Sequence, residues 1–140
     1  MKKYLYIFIT ALIAITTLSL VSCSKDDDES NISKSALVGT WKNTDTDIMG
    51  TIGYQYIQFK SNGDLVEVDI DNGEMTGNPE VDVKYGKWVL KDNHITVSGR
   101  DFTTSTATIL KLTKSKLVLS LILTMTYKKV SDSEIEKYLK

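Results

Sequence analysis

Residues 37–130 predict an all-β fold, a small antiparallel up-and-down barrel of seven or eight strands, on three observations. Apolar and polar residues alternate at strand spacing, turn signals recur at intervals of roughly 12 residues, and no long run keeps helical spacing. Strands that meander through short hairpins bury one face by closing on themselves, and closure removes the edges along which sheets aggregate. A two-sheet sandwich of the same strands is the alternative.

The elements follow in order. Leu37-Val38-Gly39-Thr40-Trp41-Lys42 opens the domain after a polar lead-in, Ile32 to Ala36, expected to form a helical turn. Tyr54 to Lys60 reads as a strand, Ser61-Asn62-Gly63-Asp64 as a tight connection and Leu65 to Ile70 as its partner strand, because Asn-Gly supplies the positive φ such a turn needs. Val66, Val68 and Ile70 share one face, expected to be buried with Ile57 and Phe59, while Glu67 and Asp69 take the wet face. A second hairpin spans Val81 to Val97 and turns at Asp92-Asn93. Its parity changes from Val81, Val83 and Tyr85 to Trp88 and Leu90, which predicts a bulge near Gly86. A third unit pairs Thr104–Leu112 with the chain from Leu117 across Thr113 to Lys116. From Leu117 to Tyr127 the apolar residues keep one parity, so this stretch is either one long strand or two with an unmarked corner. The tail from Asp132 to Lys140, with Glu134, Ile135, Tyr138 and Leu139, is expected to add a short amphipathic helix against the barrel.

Ahead of the barrel the composition changes. The chain has 140 residues, room for one domain, with 17 basic residues against 18 acidic ones. This near balance argues against a nucleic-acid binder working by phosphate neutralisation. Met1-Lys2-Lys3 is a positive start, and Tyr4 to Val21 contains no charge. That length reaches the lower limit of a membrane span, so an uncleaved anchor and a plain secretory signal are the alternatives to a lipoprotein leader. Leu20-Val21-Ser22-Cys23 resembles the lipobox of bacterial lipoproteins, which implies cleavage before Cys23 and a diacylglycerol on its thiol. The expected organisation is a leader over 1–22, lipidated Cys23 and a flexible tether over 23–36, the barrel over 37–130, and a tail or helix over 131–140. Cys23 is the single cysteine, so a disulfide within the chain is impossible. Without the leader's two lysines the remainder carries a net charge of about −3.

Ser24-Lys25-Asp26-Asp27-Asp28-Glu29-Ser30 has nothing apolar to bury and is read as a solvated spacer. It also resembles the export signal of Bacteroidota surface lipoproteins, which implies an outer-membrane anchor with the domain on the cell surface, whereas a plain spacer leaves the domain periplasmic. Gly39-Thr40-Trp41 matches the Gly-x-Trp signature of lipocalins. With the meander that follows and the ending Met125-Thr126-Tyr127-Lys128-Lys129, the chain resembles the lipocalin-like domain lipoproteins of Bacteroidota over nearly all of 37–130. The resemblance implies that Gly39 permits close packing at the start of the first strand and that Trp41 plugs the closed end of the barrel. The arginine that covers this tryptophan in lipocalins is replaced, with Lys128 or Lys129 the nearest substitute, and the second lipocalin motif is absent.

Signals for catalysis are missing. His94, the single histidine, sits beside a turn, which leaves no histidine-rich metal site and no Ser-His-acid triad. Asp69 to Glu74 has oxygen ligands at alternate positions but lacks the rest of a calcium loop and is read as a polar loop. No Gly-x-Ser-x-Gly elbow or phosphate-binding glycine loop occurs. The expectation is a non-enzymatic protein without cofactor or metal, joined to the membrane through Cys23. Its barrel binds a small apolar molecule against Tyr54, Tyr56, Phe59, Tyr85 and Trp88, or is filled by those side chains and contacts an envelope protein through the loops around 43–52 and 71–80.

Overall fold

The computed structural model describes residues 32–43, 53–73 and 77–140. The leader, Cys23 and the tether to Asn31, and loop residues 44–52 and 74–76, lie outside the described residues.

Ser33 accepts a hydrogen bond from the Ala36 amide and starts α1 (Lys34–Leu37), one turn whose Leu37 is fully buried. Eight strands follow: β1 (Gly39–Asn43), β2 (Gly53–Phe59), β3 (Asp64–Asp71), β4 (Glu80–Lys91), β5 (His94–Gly99), β6 (Phe102–Leu112), β7 (Lys116–Ser120) and β8 (Thr124–Val130). Each pairs antiparallel with the next and β8 pairs with β1, closing the barrel; the sandwich alternative is excluded. The β2–β3 turn is held by Asn62, whose Oδ1 accepts from the Asp64 amide at 2.9 Å, and by Gly63 at φ 91°. Asp92-Asn93 makes the two-residue β4–β5 turn, with Asp92 at φ 55°.

The register decides one open alternative and corrects two expectations. First, of the two readings of Leu117 to Tyr127 the structure shows two strands, β7 and β8, joined at Leu121-Ile122-Leu123. Ser120 opposes Thr124 across three connecting residues, so odd positions stay on one face through the corner and the alternation never breaks. Second, β4 has no bulge at Gly86: its pairing with β3 and β5 is continuous, and the irregularities lie at Val97/Gly99 and Ile109/Lys111. Lys84, Gly86, Trp88 and Leu90 hold one parity, so the apparent change arose because Val81, Val83 and Tyr85 are apolar residues of the outer face. Third, β3 is inverted. Glu67 opposes Ile57 and Leu65 opposes Phe59, which places Glu67 and Asp69 on the lumen side.

Val66 and Val68 are nonetheless buried, because the chain after β8 returns over the outer wall. There α2 (Ser133–Glu136) and the tail set Ile135, Tyr138 and Leu139 against Tyr56, Val66 and Val68, as the sequence led us to expect of the tail. The Tyr56 hydroxyl donates to Glu134, and its ring lies 5.8 Å from that of Tyr138. Ile135 is fully buried in this second core, so Ile135→Ala is expected to destabilise the domain by about 2–4 kcal/mol. Urea unfolding should show this as a lowered midpoint; an unchanged midpoint would mean that the tail is not a structural latch.

Candidate functional site

Side chains in register across β1–β2–β3–β4 form rows stacked along the barrel. The lowest is Gly39, Phe59, Leu65 and Gly86; the next is Trp41, Ile57, Glu67 and Lys84; above it stand Asn43, Gln55, Asp69 and Asp82. The lumen therefore changes from apolar to charged over two rows.

The lower end is closed by the two tryptophans. Trp41 is fully buried and donates its indole N–H to the Leu37 carbonyl of α1 at 2.8 Å. Lys129 lies over its ring, Nζ 4.3 Å from the centroid, and donates to the Val38 carbonyl. A Cβ on Gly39, whose φ is 124°, would stand 2.6 Å from that Nζ. Gly39 thus leaves room for the lysine that covers the tryptophan, and of the two lysines suggested by the sequence it is Lys129 that does so. Burial pulls the Lys129 ammonium below the usual lysine range, with Asp132 acting partly against it. Trp88 donates to the Lys60 carbonyl at 3.0 Å and meets Phe59 edge-on at 5.1 Å.

Above this floor the lumen has two unlike walls. On β2–β4, Lys84 donates to Asp69 at 2.6 Å and to Glu67 at 3.2 Å, while Asp82 stands 3.7 Å away. Gln55 donates to Asp69 at 3.0 Å and accepts from the Tyr127 hydroxyl at 2.6 Å. Side-chain exposure rises from 15% at Glu67 to 36% at Asp69 and 68% at Asp82, so the network runs from the buried interior to the mouth. On β6–β8, Ile109, Leu119 and Met125 make an apolar wall, and Tyr127 touches both sides, its hydroxyl 3.5 Å from the Met125 sulfur.

One lysine serves two close carboxylates, Glu67 and Asp69. Burial, reinforced by the charge of Asp69, pushes Glu67 up to about 7 in spite of Lys84. Burial pulls Lys84 down, but the hydrogen bond and charge of Asp69, with Glu67, outweigh it and hold the ammonium above the usual lysine range. Burial thus makes Glu67 a carboxyl that holds a proton near neutrality.

The five aromatic residues expected on one pocket wall are separated. Phe59 and Trp88 face inward but are packed into the floor. Tyr54 and Tyr85 are exposed on the outer wall, Tyr54 beneath the Lys42 ammonium and Tyr85 beside a groove of about 370 Å³ with Lys60, Lys87 and Arg100. Tyr56 lies under α2. Strand parity is the reason, since 54 and 56 alternate with the inward 55 and 57. Gln55, Glu67, Asp69, Lys84 and Tyr127 were missed as site residues, although the signal existed: the Asn62-Gly63 turn fixes Phe59 against Leu65 and hence Ile57 against Glu67. Of the calcium-like loop, Asp69 is engaged by Gln55 and Lys84, and Asp71 accepts from the Gly73 amide. His94 is exposed at the start of β5, and no cluster of metal-ligating side chains occurs among the described residues.

A closed eight-stranded meander with a helical turn and a covered tryptophan at one end defines a lipocalin-like barrel, the class of small β-barrels built to hold ligands. The family model described as a lipocalin-like domain matches residues 37–119, and the chain belongs to that family, whose members are in general non-catalytic binding proteins. Among solved structures, a lipocalin-like protein from Bacteroides uniformis ATCC 8492 is similar at 16% identity and a TM-score of 0.48, covering 68% of this chain and 99% of that one. No curated protein matches.

Proposed function

We propose that this chain is a lipid-anchored, non-catalytic binding protein of the bacterial outer membrane, held through Cys23, whose barrel takes a small, mainly apolar molecule at its open half. The observation that supports this reading is the two-walled lumen. A barrel with only a structural task fills its interior with apolar side chains. Here Ile109, Leu119 and Met125 face a wall of Gln55, Glu67, Asp69 and Lys84, a combination that suits an apolar body bearing one polar group. Partly buried ion networks add little to stability by themselves, which favours a role in recognition.

Titration of intrinsic tryptophan fluorescence with fatty acids, retinoids, haem and alkylamines tests the reading. At least one class is expected to give a saturable change, which Glu67→Gln weakens above pH 7 if the ligand is an alkylamine and does not weaken if it bears a carboxylate; no saturable change with any class would sink ligand binding. For the anchor, Cys23→Ala is expected to move the protein out of the membrane fraction and to abolish labelling by a radioactive fatty acid. Equal labelling of both forms would overturn lipidation.

A further inference from the structure

Between Phe102 and Ser131 the sequence contains five lysines and no acidic residue. Lys129 is turned inward onto Trp41, whereas Lys111, Lys114, Lys116 and Lys128 are exposed. The register sets Lys128 directly opposite Lys116 on one side and Lys42 on the other, three lysines abreast on the outer faces of β7, β8 and β1. Like charges placed directly opposite across strands destabilise a sheet. None of the three has an ion-pair partner among the described residues; Lys42 instead lies over the rings of Tyr54 and Tyr56. The strands on either side, β6 and β2, carry no carboxylate, and the acids of the C-terminal turn approach only the β1 edge of the wall, Asp132 at the Thr40 hydroxyl and Glu134 at the Tyr56 hydroxyl.

The same β7–β8 hairpin ends in an apolar tip. Leu121, Ile122 and Leu123 are 47%, 92% and 50% exposed, in a turn closed by the Leu121 amide on the Leu123 carbonyl. Leu110, also exposed, lies beside β7 on the same wall. A lysine pair at the base of the hairpin, flanked by Lys42, and large aliphatic residues at its tip form the combination that seats a protein lying on an anionic bilayer, with ammonium groups at the phosphates and apolar side chains among the acyl chains.

We infer that the β7–β8 hairpin is a second membrane contact, which lays the barrel with its lysine wall against an anionic lipid surface and its apolar tip in the interface. The choice of a bilayer as occupant rests on the lipid anchor proposed above. Ile32, where the described domain begins, follows Cys23 by nine residues, so even a fully extended tether spans only about 30 Å. The domain therefore never leaves the neighbourhood of the headgroups, and α1 delivers the chain directly into β1, which borders the lysine wall.

The test uses protein purified from cell membranes and, separately, residues 24–140, which hold the whole closed barrel and carry no lipid. The lipid-free form is expected to sediment with vesicles of phosphatidylcholine containing phosphatidylglycerol, to be released by salt, and to ignore vesicles of phosphatidylcholine alone. The double variant Lys116→Gln/Lys128→Gln is expected to lower partitioning roughly 30-fold, at about 1 kcal/mol per lysine. In both forms Ile122→Trp should add an emission that shifts to the blue on anionic vesicles, while Val89→Trp on the β4 outer wall should not shift. Unchanged binding by the double variant, equal binding to neutral vesicles, or no shift at position 122 would overturn the inference. Competition by heparin without any shift would overturn it too, assigning the wall to a soluble polyanion. The anchor is scored apart, by the release of Cys23→Ala from cell membranes, so that failure of one reading does not imitate failure of the other.

Discussion

Replacement of Trp41 by alanine is expected to cost about 3–5 kcal/mol of stability, the range for truncating a large buried aromatic residue. Trp41 is wholly buried, its indole holds α1 through the Leu37 carbonyl, and its ring carries the Lys129 ammonium. All three links go at once, and Lys129 is left half-buried beside a cavity. For a domain of this size the loss lowers Tm by roughly 15–30 °C, read by thermal unfolding in circular dichroism. A fall of only a few degrees would show that the closed end is held by Trp88 and Phe59 and that Trp41 is dispensable. Lys129→Met separates the charge from the packing: it keeps most of the contact area over the ring, so its effect should be much the smaller of the two.

Glu67 sets the second large effect, on the dependence of stability on pH. Its ordinary value is 4.5 and the fold raises it to about 7, so between these limits the native state binds a proton that the unfolded chain has released. Stability from this group is therefore complete below the ordinary value and lost as pH rises through about 7. A carboxyl whose pKa differs by one between the folded and unfolded chain contributes about 1.36 kcal/mol, which predicts that the wild type loses about 2–3 kcal/mol between pH 5 and pH 8 relative to Glu67→Gln. Urea unfolding of both proteins across this range measures the difference directly. The curves should lie close together at pH 5 and separate with increasing pH, the glutamine variant being the more stable. Parallel profiles would mean that Lys84 neutralises Glu67 fully and that the network holds no proton near neutrality.

If the barrel binds a ligand as proposed, this proton affects which charge it favours. When Glu67 is neutral, the polar wall presents Asp69 neutralised by Lys84 and a protonated carboxyl able to donate. When it is ionised, the same wall carries one further negative charge beside Asp69 and Asp82. A ligand bearing a positive group is thus expected to bind more tightly above pH 7 than below it, and a carboxylate-bearing ligand the reverse.

Much of the fold was legible from local signals. The Asn62-Gly63 and Asp92-Asn93 turns, the alternation in β3 to β6 and the amphipathic tail each follow from backbone preferences and spacing, and the structure places a turn, strand or helix at every one. What was hidden was which face of a strand is inside. A solvated barrel wall is expected to be polar, but the outer face of β3 is roofed by α2 and therefore carries Val66 and Val68, while its inner face carries Glu67 and Asp69. A two-faced strand reads identically in either orientation, and only the partner across the sheet breaks the tie.

The sequence by itself determined the class of fold, the Gly39-Thr40-Trp41 start of the barrel and the β2–β3, β4–β5 and β6–β7 hairpins, because these depend on residues close together in the chain. It also contains a stretch, from Phe102 to Ser131, whose only charges are positive. The tertiary structure alone decided that eight strands close, that Lys129 is the residue over Trp41, that one lysine is shared by Glu67 and Asp69, and that Lys42, Lys116 and Lys128 stand abreast. Each of these is a contact between strands far apart in sequence, fixed by register and closure, and no local preference specifies it.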